Sequence, residues 1–219
     1  MRYEPGKTDH GLRYDPFKSC VVPRPIGWIS TRGAAGDNIA PYSQFTNVSF
    51  DPPSVLFSAN QTTEGRRKDS VINAEQTGVF CWNMATWELR DAVNISAKEL
   101  PFGIDEFAEA GLQKRQASLI DCPMVANSPV GFECEYMQTV TIPGNGTMGT
   151  VDVVFGRVVS VHIDDEFITP DGRLDVLKAR PIARMGYFDY TSVESIFEMI
   201  IPDSDRLLVG LGGDAAKNS

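Results

Sequence analysis

The sequence predicts a mainly β protein, built as a closed or half-closed antiparallel barrel with a few helices in its connections. Many short apolar segments follow one another at regular spacing, and clusters of Gly, Pro, Asn and Asp separate them. A doubly wound parallel sheet would need a helix between each pair of strands, and the sequence does not supply these helices. No Gly-x-Gly-x-x-Gly motif follows a predicted strand either, which argues against a dinucleotide-binding parallel sheet.

Length and charge narrow the class of protein. The chain has 219 residues, which fits one domain, with 42% hydrophobic and 22% charged residues, as in ordinary globular proteins. The net charge of -9 argues against broad contact with nucleic acid or with an anionic membrane. An anionic ligand would therefore need a local cluster of cations.

The cysteines and the N-terminus predict the compartment. The chain has four cysteines without a Cys-x-x-Cys pair and only two histidines, so we expect free thiols and no metal site. The first nineteen residues are polar and lack the apolar core of a signal peptide, and no apolar run is long enough to span a membrane. These features predict a cytoplasmic protein.

Three strands are expected at the start, over residues 26–31, 39–50 and 54–59. Pro23 and Pro25 favour extended backbone before the first strand. Glycines and Asn38 provide the first reversal, and Pro52 and Pro53 end the second strand, since neither has an N–H to donate.

The second predicted strand is unusually polar for a core strand. Its polar side chains are Ser43, Gln44, Thr46, Asn47 and Ser49. One interpretation is a strand that hydrogen-bonds a ligand. The alternative is an edge strand whose polar face meets water.

The densest positive charge in the chain lies just before a predicted helix. Arg66, Arg67 and Lys68 precede Asp69 and Ser70, either of which can serve as the N-cap, and Gly78 is suited to the position after the helix C-terminus. Cations beside the N-terminus of a helix suit a phosphate. The alternative is an ordinary solvated loop.

The rest of the chain continues the β pattern around one helical interruption. We expect a strand over residues 79–84, helices over 86–97 and 105–110, a hairpin of strands 130–142 and 151–163, and a short extended segment over 182–190. The predicted organisation is an arm (1–20), one domain (21–200) with a helical insertion at about 86–111, and a tail (201–219).

The usual protein-borne catalytic groups are missing from the sequence. It has no Gly-x-Ser-x-Gly and no His-Glu-x-x-His motif, and His162 in a predicted strand reads as structural. This pattern is typical of a protein whose chemistry belongs to an organic cofactor. The polar strand would then lie along a flat heteroaromatic ring while the basic segment holds its phosphate.

Five segments in order carry a family resemblance: VPRPIGWIST, NIAPYSQFTNVSFDPPSVLFS, RKDS before a helix, TGVFCWNM and PIARMGYFDY. From about residue 21 to 190 the chain resembles the flavin reductase-like, FMN-binding split-barrel family, and its longer flavoredoxin-like members in particular. The resemblance implies a six-stranded antiparallel split barrel with Greek-key character. It also implies a homodimer with FMN at the subunit interface and flavin reduction by NADH or NADPH.

The resemblance also supplies candidate FMN-binding positions. The residues that match the family segments are Trp28, Tyr42, Ser43, Gln44, Phe45, Thr46, Asn47, Ser58, Ala59, Asn60, Arg67, Lys68, Asp69, Ser70, Arg184 and Gly186. No catalytic side chain is implied, since the redox step belongs to the flavin. Trp28 suits a core position equally well.

The chain departs from the shorter family members at one point. Where these carry a late Gly-Asp-His segment for the nicotinamide, this chain has ARMGYFDY. Three hypotheses stay open: an FMN-dependent oxidoreductase that passes electrons to free flavin or to a partner such as an oxygenase, an FMN electron carrier without its own NAD(P)H site, and a non-catalytic binding protein.

Overall fold

The structure, a computed structural model, describes residues 1–199. The predicted tail, residues 201–219, lies outside the described residues. The strands are β1 (Arg24–Pro25), β2 (Gly27–Gly33), β3 (Gly36–Tyr42), β4 (Phe45–Phe50), β5 (Pro53–Asn60), β6 (Val79–Asn83), β7 (Lys114–Gln116), β8 (Pro123–Val125), β9 (Val130–Ile142), β10 (Val151–Ile163), β11 (Ile182–Gly186) and β12 (Asp189–Ser192). The helices are α1 (Phe17–Cys20), α2 (Asp69–Thr77), α3 (Arg90–Ile95), α4 (Glu106–Glu109), a 3-10 turn (Asp165–Phe167) and α5 (Val176–Ala179).

The main sheet has seven antiparallel strands in the order β3-β2-β6-β9-β10-β5-β4. Its two edge strands, β3 and β4, follow each other in the chain and are separated only by Ser43 and Gln44. The sheet must therefore curl until its edges meet. A hydrogen bond from Ser58 N to Gln44 O (2.9 Å) ties the junction to β5. The predicted mainly β split barrel is confirmed.

The predicted single strand over residues 39–50 is wrong in one respect, because it divides at Ser43–Gln44. β3 pairs with β2, whereas β4 pairs with β5 at the other edge of the sheet. One strand cannot pair along both edges of the sheet, so the chain bends there. This division also gives the main sheet seven strands where the resemblance implied six.

Two small sheets complete the fold. β1, β11 and β12 form a three-stranded sheet, in which Arg24 stands opposite Arg184. β7 and β8 form a hairpin of three-residue strands that the sequence analysis did not predict, since so short a strand carries no readable alternation.

Aromatic side chains fill the barrel. Trp28, Phe57 and Phe80 are fully buried, and Phe57 packs edge-on against Phe80 with ring centroids 5.4 Å apart. Burying one such side chain contributes about 1.5–3 kcal/mol. Gly156 makes room for the Phe80 ring, because a Cβ there would lie 2.3 Å from Phe80 Cζ.

α2 matches its prediction at its C-terminus but not at its N-terminus. α2 ends at Gly78, in the left-handed conformation that was predicted (φ 76°). Its N-cap position is Lys68, however, not Asp69 or Ser70, and no side chain caps the helix there. Asp69 instead bonds Arg66, and Ser70 bonds Asn38 in the interior.

The helical insertion is smaller than predicted. α3 begins at Arg90, not at Thr86, because Thr86 forms a β-bridge with Pro181. α4 begins as predicted at its N-cap Asp105, which accepts hydrogen bonds from Phe107 N and Ala108 N.

Within residues 1–199 no helix has the length and apolar character needed to cross a bilayer. Within the same range no cluster of three or more His, Cys, Asp or Glu side chains is arranged to hold a metal ion.

Candidate functional site

The junction between β3 and β4 separates two cavities of opposite character. Pro41 and Tyr42, before the bend, line a small polar pocket. Phe45, Thr46 and Asn47, after the bend, line a larger apolar cleft. The segment that the sequence analysis singled out therefore contributes to both.

The apolar cleft has a volume of roughly 380 Å³ and aromatic walls. Phe45 stacks on Trp82 with ring planes 5° apart and centroids 5.3 Å apart. Trp82 also packs on Phe132, at 4.5 Å. The remaining walls are formed by Pro25, Ile26, Val55, Met84, Ala85, Pro181 and Ile182. A concave, largely apolar cleft with aromatic walls suits a flat ring system.

Backbone contacts fix these aromatic walls. Trp82 Nε1 donates to Ile26 O (3.0 Å), which sets the plane of the indole. Gly27 lets Phe45 approach the sheet, since a Cβ at Gly27 would lie 2.8 Å from Phe45 Cδ2. The stacked pair is therefore held before any ligand arrives.

The rim of the cleft is polar. The side chains of Thr46 and Asn47 are exposed on β4, which is an edge strand of the sheet. In a single chain, Thr46 and Asn47 therefore lie on an edge strand and face water, as the alternative interpretation of the polar strand expected. These side chains also border the cleft, where their donors and acceptors are available to a ligand.

The polar pocket is much smaller, with a volume of roughly 80 Å³. Among its walls are Tyr42 and Thr62 from the barrel and Arg66 and Lys68 from the basic loop. The loop between α3 and α4 closes one side through residues 96–100. This volume accommodates a compact anion but not a fused ring system.

Tyr42 carries a hydroxyl without a partner at this pocket. The side chain is buried; within residues 1–199 no group meets the distance and angle of a hydrogen bond to its oxygen, and the Ser70 hydroxyl is the polar group beside it. Burial raises the pKa of Tyr42, so the phenol stays protonated. An unpaired buried hydroxyl costs free energy, and a ligand that accepts its proton recovers that cost.

Glu106 lies beneath the same pocket. Its carboxylate accepts from Asn38 Nδ2 (3.0 Å) and from Ile39 N (3.4 Å). Burial is the main cause that raises the pKa of Glu106, and the charge of Asp69 adds to it. The insertion thus contributes a buried carboxyl group to the floor of the pocket.

The basic loop divides between two sides of the molecule. Arg67 turns away from the polar pocket and binds two carboxylates, Asp152 through Nε (2.9 Å) and Glu75 through both terminal nitrogens (2.8 and 2.7 Å). Asp152 is 2% exposed. The geometry therefore gives Arg67 a structural partner set, while Arg66 and Lys68 face the pocket.

The last residues of β5 are held by packing and hydrogen bonds within the chain. Ala59 is buried in the core, and Ser58 N donates to Gln44 O. Asn60 Nδ2 donates to Met148 O (2.8 Å), which ties β5 to the turn after β9. These contacts hold the bend in place.

The three-stranded sheet of β1, β11 and β12 adds a pair of cations. Arg24 Nε donates to Ser43 O (3.2 Å), and Arg184 Nη1 donates to the hydroxyl of Tyr190 (2.6 Å). Burial is the main cause that lowers the pKa of Arg24, and the charge of Arg184 adds to it. Within the described part of the chain neither arginine has a carboxylate partner.

Six of the sixteen candidate positions line a cavity: Tyr42, Lys68 and Asp69 line the polar pocket, and Phe45, Thr46 and Asn47 line the cleft. The other ten line neither cavity, and Trp28 and Gly186 among them have clear packing roles. Trp28 is 0% exposed and donates through Nε1 to Ser96 Oγ (3.0 Å), the core position that the sequence also allowed. Gly186 packs on α1, because a Cβ there would lie 2.1 Å from Ser19 Oγ.

Several residues that line the two cavities were not among the candidate FMN-binding positions. Thr62, Glu99 and Glu106 line the polar pocket, and Trp82 lines the cleft. The segment around Trp82 was noted as a strand and as part of the family resemblance, but no role was given to Trp82 itself. An isolated Glu99 in a loop gives no local signal. Arg66 was noted within the basic run, but sequence spacing alone could not show which of the three cations turns inward.

Comparison with known proteins shows the family to which the chain belongs. The model of the protein family described as the flavin reductase like domain matches residues 19–177. An uncharacterized protein of Aquifex aeolicus is 31% identical over 187 residues, which cover 85% of this chain and 92% of that protein.

Two solved structures are similar along most of the chain. The nitrilotriacetate monooxygenase component B from Bacillus cereus superposes with a TM-score of 0.82 at 26% identity, covering 91% of this chain and 98% of that one. The flavoredoxin of Desulfovibrio vulgaris superposes with a TM-score of 0.72 at 18% identity, covering 90% and 99%. With its split barrel and its matched residues 19–177, the chain belongs to the flavin reductase like domain family.

Proposed function

We propose that this protein binds FMN and is an oxidoreductase that takes hydride from NADH or NADPH and passes electrons to free flavin or to a partner such as an oxygenase. The observation that carries this proposal is the junction of β3 and β4, since residues before the bend line a polar pocket with two cations and residues after it line an aromatic cleft. A flat ring at one end and a phosphate at the other match these two cavities.

The protein residues act by placement. Phe45 and Trp82 offer a flat apolar face to the ring, and Thr46 and Asn47 provide hydrogen bonds along its polar edge. FMN supplies the hydride-accepting position, N5 of its ring, when it is bound. The side chains exclude water from the cleft and keep the ring in one orientation.

The phosphate is assigned to the polar pocket. Lys68 and Arg66 provide the positive charge, and the protonated Tyr42 hydroxyl provides a buried donor that lacks a partner in the described chain. Charge-assisted hydrogen bonds of this kind are stronger than neutral ones. The resemblance indicated Arg67 as the phosphate-binding arginine beside Lys68. We assign that role to Arg66 instead.

We propose a homodimer that completes the site. β4 is an edge strand with Phe50 77% exposed, and Val48 beside it is exposed as well. The far half of β9 exposes Met137, Val140 and Ile142. An open edge strand with apolar side chains is unfavourable in water, and a second copy would cover it.

The test of FMN binding uses two flavins. FMN and riboflavin are titrated against the purified protein and followed by quenching of flavin fluorescence. We expect the Arg66→Ala/Lys68→Ala variant to lose about 10- to 100-fold in FMN affinity while riboflavin affinity stays within about twofold, because only FMN carries the phosphate. Arg2→Ala/Lys7→Ala, two exposed cations of the arm, is the matched control. Equal losses for both flavins would contradict the phosphate assignment.

A second candidate function is an FMN electron carrier without its own nicotinamide site. It is favoured by the ARMGYFDY segment, which has no histidine where shorter family members carry one. Anaerobic titration with NADH and NADPH separates the two. Rapid bleaching of the bound flavin supports the oxidoreductase, whereas bleaching only by an added reductase supports the carrier.

A further inference from the structure

Both cations that face the polar pocket are neutralised by carboxylates of the same chain. Arg66 Nη1 lies 3.0 Å from Asp69 Oδ1, and Lys68 Nζ lies 3.8 Å from Glu99 Oε2. Since the buried Glu106 also lines the pocket, its walls carry negative charge alongside the positive charge. A dianion that enters the pocket therefore competes with these carboxylates for the two cations.

The two neutralising carboxylates differ in how firmly they are held. Asp69 is in the first turn of α2, where its charge stabilises the helix dipole and its partner is three residues away. Glu99 comes from the loop between α3 and α4 and reaches across to the basic loop. Glu99 is thus the carboxylate that can move without disturbing a helix.

The contacts of Glu99 are those of a bound anion. Its Oε1 accepts from Thr63 N (3.1 Å) and from Thr63 Oγ1 (3.2 Å), while its Oε2 faces the Lys68 ammonium. A backbone N–H, a hydroxyl and an ammonium together are a usual donor set for a phosphate.

We propose that Glu99 is an internal anion that competes with the cofactor phosphate for Thr63 and Lys68, and so sets how strongly the site prefers a phosphorylated flavin. This inference rests on the proposed function, in which the phosphate enters the polar pocket. The phosphate brings a charge of about -1.5 to -2 near neutral pH, so it repels Glu99 as it takes the same donors. The helical insertion that carries Glu99 thereby acts on cofactor affinity.

The test compares Glu99→Gln with Glu64→Gln. Glu64 is exposed on the same loop as Thr63, and within residues 1–199 it makes no ion pair, so its substitution removes an equal charge without touching the donors. We expect Glu99→Gln to tighten FMN binding by about tenfold, the amount of one freed charge-assisted contact, and to leave riboflavin binding within about twofold. Glu64→Gln should leave both affinities within about twofold.

A second variant keeps the charge and shortens the side chain. Glu99→Asp should also tighten FMN binding, since the shorter side chain no longer reaches Thr63. Inorganic phosphate, titrated as a competitor of FMN, should compete more effectively in both Glu99 variants than in the parent protein. Circular dichroism of each variant confirms that the fold is kept.

The outcomes separate the inference from the proposed function. Unchanged or weaker FMN binding in both Glu99 variants overturns the inference, because Glu99 would then be neutral or part of the binding set. An equal gain for FMN and riboflavin also overturns it. If the parent protein binds riboflavin as tightly as FMN and Arg66→Ala/Lys68→Ala changes neither affinity, the phosphate assignment itself fails.

Discussion

Replacing Arg67 by Ala separates a structural role from a binding role within the basic loop. Arg67 contributes a hydrogen bond to Asp152, which is 2% exposed, and a bidentate pair to Glu75. Without Arg67, the only hydrogen bond that the Asp152 carboxylate keeps within residues 1–199 is the one that the Thr141 hydroxyl donates (2.7 Å). Glu75 is more exposed and can regain water.

The magnitude follows from these two carboxylates. Leaving a buried charge without its partner costs about 3–5 kcal/mol, and a partly exposed pair contributes about 0–1 kcal/mol. Arg67 is itself about one-third exposed, so screening reduces the first figure, and we expect a total loss of about 3 kcal/mol. For a chain of this size that loss lowers the melting temperature by about 6–12 °C.

The assay is thermal unfolding without ligand, combined with the flavin titrations. Arg67→Ala should unfold at lower temperature while the ratio of FMN to riboflavin affinity stays within about twofold of the parent. Adding Asp152→Asn should recover at least half of the lost stability, since it removes the stranded charge. An unchanged melting temperature together with a loss of FMN affinity alone would refute the structural role and return Arg67 to the phosphate site.

Three further predictions concern other parts of the fold. Burial alone would raise the pKa of Glu133, but His162 and three backbone N–H groups hold this pKa below its ordinary value of 4.5. The ionised Glu133 therefore stabilises the fold above pH 4.5, and this contribution is lost as the pH falls through the lowered pKa. In Glu133→Gln, the stability deficit measured by urea unfolding should therefore be about 2–3 kcal/mol at pH 7 and smaller at pH 3.5; an equal deficit at both would contradict this. Gly156→Ala places a Cβ 2.3 Å from Phe80 and should cost about 1–3 kcal/mol in the same assay, whereas no loss would mean that the ring has room to move. Phe50→Asp adds a charge to the exposed edge strand and should turn the proposed dimer into a monomer in light scattering without lowering helix or strand content, and a dimer that persists would place the interface elsewhere.

Local patterns were sufficient for most of the strands. The long strands β9 and β10 alternate regularly enough that residues 130–142 and 151–163 match the structure at both ends. Gly78 ended α2 as expected, because only a residue that tolerates positive φ fits there. The polar segment after Tyr42 and the run of cations likewise marked the neighbourhood of the candidate site.

Other features depend on which residues meet in space. The bend at Ser43–Gln44 follows from pairing with two different strands at opposite edges, and no local property of these residues reports it. Which cation of the basic run faces the pocket depends on Asp152, which is 85 residues from Arg67 in the chain. Glu99 likewise reaches Thr63 only because the insertion folds over the barrel.

By itself, the sequence determined the mainly β class, the order of the strands along the chain and the region of the candidate site, because alternation, turn residues and charge clusters are local properties. Only the tertiary structure decided that one junction serves two cavities, that Arg67 is held by the buried Asp152 and by Glu75, and that Glu99 accepts a hydrogen bond from Thr63. Such contacts join residues far apart in the chain, and their partners are set by the closure of the sheet rather than by any neighbouring residue.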